Sequence, residues 1–151
     1  LMHHNLENFI REIKALGLKV KVDTNGSQPK HLEKLLQKNL LDYVALDFKA
    51  PADIFLKVTG INKFDEFVKC FKLLKQAGIP FEVRTTYHSD LLEIDSIQTM
   101  ASFLEEMGYS GHFYIQNFFN NCKTLGNLRN DSTKIKAKDI QTKNLQIEIR
   151  N

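Results

Sequence analysis

The chain has 151 residues, 42% hydrophobic and 26% charged, which suits one compact domain with its own core. A mean hydropathy of -0.31 without any long apolar run excludes a membrane span, and a net charge of +3 spread along the chain disfavours a nucleic-acid partner. Cys70 and Cys122 match no zinc spacing and, with no secretory leader visible, predict a reducing cytoplasm.

Hydrophobic periodicity predicts helices and strands in alternation. In chain order these are a helix at 6–16, a strand at 18–22, a helix from Pro29 and a strand at 43–48. The pattern repeats with a helix at 64–78, a strand at 81–86, a helix from Asp95 or Ser96 to 108, and strands at 112–116 and 145–149. Such alternation favours a parallel sheet or part of a βα barrel, and about four units are too few for a complete eight-unit barrel.

The stretch between the last two predicted strands, at 117–144, is polar and gives no clear element. Residues 120–138 are rich in Asn, Lys and Thr and are expected to form a long loop. The same region holds the densest cluster of lysines, which we interpret as a solvated surface because a mild basic excess rarely marks a nucleic-acid site.

Polar side chains stand at the end of each predicted strand. They are Asp23, Thr24, Asn25 and Gly26 after the first, Asp47 and Lys49 after the second, Arg84 in the third, and Gln116 and Asn117 after the fourth. Ligands of βα folds bind at the carboxyl ends of the strands, so we expect these groups to converge on one rim. Taken alone, Thr-Asn-Gly is also a typical turn.

The charged residues among them suggest a zwitterionic ligand that carries a sugar. Lys49 and Arg84 can hold a carboxylate, the arginine through a bidentate fork. Thr24, Asn25 and Gln116 can bond ribose hydroxyls. Asp23 and Asp47 would repel each other across neighbouring strands unless a cation or Lys49 lay between them. The five histidines show no metal-ligand spacing, and most are expected to be exposed or incidental.

Three segments resemble the radical S-adenosylmethionine activating enzymes in order and spacing: GLKVKVDTNGSQP, LLDYVALDFKAP and FEVRTTYHSDLLE. The resemblance is closest to the activating proteins of anaerobic ribonucleotide reductases, followed by the pyruvate formate-lyase activating enzymes. GHFYIQNFF resembles the last barrel strand of that group. The resemblance runs from Leu1 to about Phe119 and returns weakly near the carboxyl terminus.

The resemblance implies a partial (β/α)6 TIM-like barrel with mostly parallel strands. It also implies an enzyme that uses S-adenosylmethionine and a 4Fe–4S cluster to make a 5′-deoxyadenosyl radical, which takes a hydrogen atom from a glycine of a partner enzyme. By this resemblance Lys49 and Arg84 hold the cofactor's carboxylate, and Asn25 and Gln116 are weaker cofactor contacts. Asp23, Thr24 and Asp47 match a monovalent-cation site.

The sequence departs from that family in lacking the C-x3-C-x2-C motif that ligates the cluster and the Gly-Gly-Glu-Pro stretch that meets the cofactor's amino group. We therefore expect residues 1–151 to be the C-terminal portion of a radical S-adenosylmethionine domain and to be inactive alone. Two alternatives remain open at this point: a related radical enzyme that acts on a small molecule, and a non-catalytic half-barrel that binds a partner or a nucleotide.

Overall fold

The computed structural model describes residues 5–119, 128–131 and 133–150. The elements, in chain order, are α1 (Leu6–Ala15), β1 (Lys21–Thr24), α2 (Pro29–Gln37), β2 (Tyr43–Asp47), α3 (Phe55–Thr59), α4 (Phe64–Ala77), β3 (Phe81–Tyr87), α5 (Ile94–Glu106), β4 (His112–Asn117), a 3-10 turn (Ala137–Asp139) and β5 (Gln146–Arg150). Among these described helices, none has the length and apolarity needed to cross a bilayer.

The strands form one parallel sheet in the order β1-β2-β3-β4-β5. Each strand therefore pairs with its neighbour in sequence, and right-handed crossovers place the helices on the same side of the sheet. This arrangement confirms the predicted α/β fold and is that of a partial TIM-like barrel. Register pairs Asp47 with Arg84 and Thr86 with Gln116, so the polar strand ends lie side by side.

The helix side of the sheet holds the core. Its fully buried strand residues are Val44, Leu46, Val83, Phe113 and Ile115, and its helix residues include Leu32, Phe67, Phe71, Leu74, Ile97, Met100 and Leu104. Phe48 stacks on Phe67 with their ring centroids 4.4 Å apart. Burial of these side chains stabilises the fold, because each contributes roughly 1.5–3 kcal/mol relative to an exposed position.

Gly26 allows the chain to leave β1 close to α4. Its φ is +73°, and a Cβ there would lie 3.0 Å from the Phe67 Cα and 3.3 Å from the Leu46 Cδ1. Only glycine combines that backbone conformation with so close an approach. The turn after β1 is consequently fixed by packing against the helix layer.

The described chain before β5, residues 133–145, is called here the strap and holds the 3-10 turn but no α-helix. The Asn117 side-chain amide accepts the Ile135 N–H at 3.0 Å and donates to the Ile135 carbonyl at 3.4 Å. The Glu105 carboxylate accepts the N–H groups of Lys143, Asn144 and Leu145. Buried Ile135, Ile140 and Leu145 complete the attachment. The predicted loop thus has a defined path over these residues, while Cys122 and the rest of 120–127 lie outside the described part.

Two predicted boundaries were wrong, and one helix was missed. β1 begins at Lys21 and not at residue 18, because the Val20 N–H donates to the Asp42 carboxylate at 2.6 Å instead of to a neighbouring strand. α5 begins at Ile94 after Glu93, so neither Asp95 nor Ser96 is its N-cap. The short helix α3 was not predicted at all.

Candidate functional site

The face of the sheet opposite the helices, called here the open face, carries charged and aromatic side chains. They occupy alternate strand positions, because successive side chains of a strand point to opposite faces. The set comprises Lys21, Asp23, Tyr43, Asp47, Glu82, Arg84, Tyr114 and Arg150, whose mutual contacts place them on this side. One side of the sheet is thus a core surface and the other a polar one.

Four predicted site residues meet at the carboxyl edge of the open face and form what we call the Arg84 cluster: Asp23, Asp47, Lys49 and Arg84. Arg84 Nε lies 2.5 Å from Asp47 Oδ1, and Arg84 Nη2 lies 2.8 Å from Asp23 Oδ2. Lys49 Nζ lies 3.0 Å from the other Asp47 oxygen. Burial lowers the pKa of Arg84, but its hydrogen bonds to the two carboxylates outweigh burial and raise it.

This geometry changes the interpretation of the two carboxylates. Asp23 and Asp47 do share a face, and Arg84 rather than Lys49 lies between them. The guanidinium has five N–H donors, of which these contacts use two, so it retains hydrogen-bonding capacity toward a ligand. The Lys49 side chain is 39% exposed and can turn to a ligand at a lower free-energy cost than the more buried Arg84.

A second acidic centre, around Glu82, lies on the open face farther from the carboxyl edge than the Arg84 cluster. Its carboxylate contacts Lys21 Nζ at 3.3 Å, the Tyr43 hydroxyl at 3.2 Å and Arg150 Nη2 at 3.4 Å. Burial, followed by the Glu82 charge, raises the pKa of Tyr43 to about 12. Lys21 also lies 3.8 Å from Asp23 and so links the two clusters.

The sequence analysis missed the partners of Glu82, which are Lys21, Tyr43 and Arg150. The available signal was alternation: Lys21 precedes Asp23 by two positions, and Glu82 precedes Arg84 by two. The second strand hid that signal, because its residues from Tyr43 to Phe48 form a nearly continuous apolar run.

A pocket of about 370 Å³ opens at the same carboxyl edge, and we call it the rim pocket. Asn25, Lys49 and Thr86 contribute polar groups, and α3 and the following turn contribute apolar walls through Phe55, Val58 and Ile61. Lys49 therefore belongs to both the Arg84 cluster and the rim pocket. The apolar run after Pro51, ending at Gly60, was the sequence signal for α3.

His88 lies at the wall of the rim pocket and is only 1% exposed, whereas His31 and His112 are exposed as expected for most of the histidines. Its Nδ1 accepts the Asp90 N–H at 3.1 Å, which leaves Nε2 to donate to the Arg129 carbonyl at 3.0 Å. Asp131 accepts the Ser89 N–H at 2.6 Å, and this contact holds the pKa of Asp131 well below its usual range. These bonds attach residues 128–131 to the pocket wall.

The other predicted site residues lie around this edge. The Thr24 side chain is buried on the helix side, where its Oγ1 accepts the Gly26 N–H at 3.2 Å. Asn25 is exposed and accepts the Ser27 N–H and hydroxyl. Gln116 pairs in register with Thr86 and Arg150 on β4. Thr24 is thereby separated from the two carboxylates with which it was predicted to bind a cation.

The described residues do not fit an iron–sulfur cluster. Cys70 is buried on α4, and its thiol donates to the Gly26 carbonyl at 3.1 Å. Burial raises the pKa of this thiol to about 12, so it stays protonated, whereas a cluster needs thiolates. No group of three or more potential metal-ligating His, Cys, Asp or Glu side chains occurs within residues 5–119, 128–131 and 133–150.

Comparison with known proteins gives two findings. The family model of the radical SAM superfamily, where SAM is S-adenosylmethionine, matches residues 1–107. A curated protein of Methanocaldococcus jannaschii, "Putative glycyl-radical enzyme activating enzyme", is 31% identical over 110 residues, which cover 64% of this chain and 42% of that protein. The chain therefore spans less than half the length of this relative.

Proposed function

The chain belongs to the radical S-adenosylmethionine superfamily, and from that premise we propose that it takes part in activating a glycyl radical enzyme. The relative named as a glycyl-radical enzyme activating enzyme supports this choice within the superfamily. The observation that carries the proposal is the Arg84 cluster, which gathers two acids and two bases at the carboxyl edge of parallel strands. Anaerobic ribonucleotide reductase is the partner proposed from the sequence resemblance.

The open face beside the Arg84 cluster is the proposed binding surface for S-adenosylmethionine. This cofactor carries a carboxylate and two cationic centres, which match the mixed charges of the cluster. Lys49 and the unused donors of Arg84 would hold the carboxylate, and Asp23 and Asp47 would face the ammonium and the sulfonium. When bound, the cofactor supplies a 5′-deoxyadenosyl group for hydrogen abstraction. Asn25 and Gln116 are proposed to bond the ribose.

The rim pocket is the proposed entry for the group that loses a hydrogen atom. Lys49 lies at its wall and in the Arg84 cluster, so a cofactor beside the cluster would border the pocket. The walls from α3 and the loop after β3 are mostly apolar, which excludes water from the place where a radical would react. Carboxylate and ammonium groups hold the cofactor, and apolar side chains surround the substrate.

A second candidate function is radical chemistry on a small molecule. The rim pocket has a volume of about 370 Å³, which falls within the usual range for small-ligand sites. Its apolar walls and few polar groups are typical of such sites. This candidate shares the proposed cofactor surface and differs only in what enters the pocket.

Calorimetric titration of the chain with S-adenosylmethionine tests the cofactor proposal and separates it from a non-catalytic half-barrel. We expect weak binding, roughly millimolar or about -4 kcal/mol, because only side-chain contacts are available. Lys49→Ala should abolish it, and Lys138→Ala, an exposed lysine on the remote 3-10 turn, should not. Micromolar binding that survives Lys49→Ala would place the pocket elsewhere.

A further inference from the structure

A groove runs along the outside of the molecule between α2 and α4, which pack against each other. Its volume is about 560 Å³, and we call it the basic groove. Lys30, Lys63, Lys69 and Lys72 line it, against the two acids Glu33 and Glu66. None of these residues belongs to the Arg84 cluster.

Three of the four lysines of the basic groove form no ion pair within the described part of the chain, and all three are exposed: Lys30, Lys69 and Lys72. The fourth, Lys63, pairs with Glu66 at 3.1 Å. The groove thus presents an excess of positive charge over its two acids.

The basic groove adjoins the rim pocket. Ser27 and Lys63 line both of them, so the groove between the helices lies next to the carboxyl edge of the sheet. At the pocket end, Leu56, Ile61 and Leu91 are exposed apolar side chains, of which Ile61 and Leu91 line the pocket. The rim pocket and the basic groove therefore form one combined surface, which is apolar at the pocket end and carries unpaired positive charge at the groove end.

We infer that this combined surface docks an extended acidic segment of a protein partner, with an apolar side chain of that segment seated in the rim pocket. The inference rests on the proposed function for the identity of the partner as a protein. Apolar burial would provide an anchor, and the lysines would select for acidic residues beside it. An extended chain reaches about 3.4 Å per residue, so a short segment can occupy both parts.

The groove favours a peptide over a nucleic acid. A phosphate backbone carries negative charge along its whole length and would be repelled by Glu33 and Glu66, which lie among these lysines. The rim pocket also offers few charged donors to a nucleotide phosphate. Its two lysines, Lys49 and Lys63, already contact Asp47 and Glu66.

Fluorescence anisotropy with synthetic peptides tests the inference. The probe is a labelled peptide of about 12 residues, with leucines at one end and glutamates at the other, which spans about 40 Å when extended. We expect the double change Lys69→Glu and Lys72→Glu to weaken binding about tenfold, because it turns attraction into repulsion at exposed sites. The matched control, Lys19→Glu with Lys138→Glu, makes the same change in net charge at exposed positions outside both sites.

Further probes give each part its own test. Replacing the leucines by serines should also weaken binding, and added salt should weaken it further. The inference is overturned if the peptide does not bind, if the two double variants behave alike, or if an oligonucleotide of equal charge competes as well as the acidic peptide. Titration with S-adenosylmethionine is independent of these measurements, so failure of the cofactor proposal and failure of the docking surface can be told apart.

Discussion

Arg84 and Asp47 are register partners on β3 and β2, and Arg84 Nε lies 2.5 Å from Asp47 Oδ1. The same guanidinium reaches Asp23 on the far strand of the three. Because one cation bridges two carboxylates that would otherwise repel, Arg84 is both a proposed ligand contact and a structural bridge. The sequence alone suggested only the first role.

Arg84→Ala should therefore destabilise the fold by about 2 kcal/mol, since it leaves the partly buried Asp47 and the exposed Asp23 facing each other. The unfolding free energy from urea titration measures this. Arg129→Ala is the control, because that arginine is 71% exposed in its pair with Asp90 and its loss should cost clearly less. Equal losses in the two variants would contradict the bridging role.

The 151-residue chain should not assemble a 4Fe–4S cluster. Such clusters need at least three cysteine thiolates, and this sequence has two cysteines. Anaerobic reconstitution followed by iron and sulfide assay measures the outcome. About four irons per chain would refute the prediction, and a Cys70→Ala variant with unchanged iron content would show that any bound iron is adventitious.

Gly26→Ala should destabilise the chain by about 3 kcal/mol. The added Cβ meets the α4 backbone at Phe67 and also forces a residue with a side chain into positive φ. Gly17→Ala provides the control, because Gly17 has a similar φ of +76° but nothing within 4 Å of the added atom. Gly17→Ala should cost about 1 kcal/mol. Equal costs measured by urea unfolding would rule out the close approach.

Thr85→Val should stabilise the fold by about 1 kcal/mol. The Thr85 hydroxyl is buried in β3 and has no hydrogen-bond partner among the residues that the structure describes. Valine keeps the shape and removes a polar group that is costly to bury unpaired. Thr86→Val, at the exposed neighbouring position, should change stability by less than about 0.5 kcal/mol. Thermal unfolding midpoints compare the three proteins.

Acid should weaken the attachment of α1 to α2. Lys38, then Lys34 and Arg11, lower the pKa of Glu7 from 4.5 to about 2. A carboxyl with a lowered folded pKa contributes stability that is present above pH 4.5 and is lost as pH falls toward 2. Glu7→Gln should therefore be less stable than the parent chain at pH 7, with the difference shrinking below pH 4.5.

Urea midpoints at several pH values measure that difference. Glu12→Gln, an exposed position on the same helix, controls for the loss of one negative charge. A Glu7→Gln deficit that stays constant down to pH 2 would show that the lysines do not act through this carboxylate.

The sequence by itself determined the alternating helices and strands, the parallel sheet and the polar strand ends. Hydrophobic periodicity reports which side chains are buried, and parallel strands must end at one edge, so Asp23, Asp47, Lys49 and Arg84 could be grouped before their positions were known. The strand-end segments also carried the family resemblance. These features depend on spacing along the chain, which is written in the sequence.

Only the tertiary structure decided which groups contact each other. The register of β2 against β3 made Arg84 the bridge between Asp23 and Asp47, and side-chain alternation turned Thr24 away to the helix side. Packing at Phe67 fixed the turn at Gly26, and hydrogen bonds from Asn117 to the backbone of Ile135 fixed the strap. The physical reason is that pairing partners and facing sides come from contacts between distant segments, and local periodicity contains no information about them.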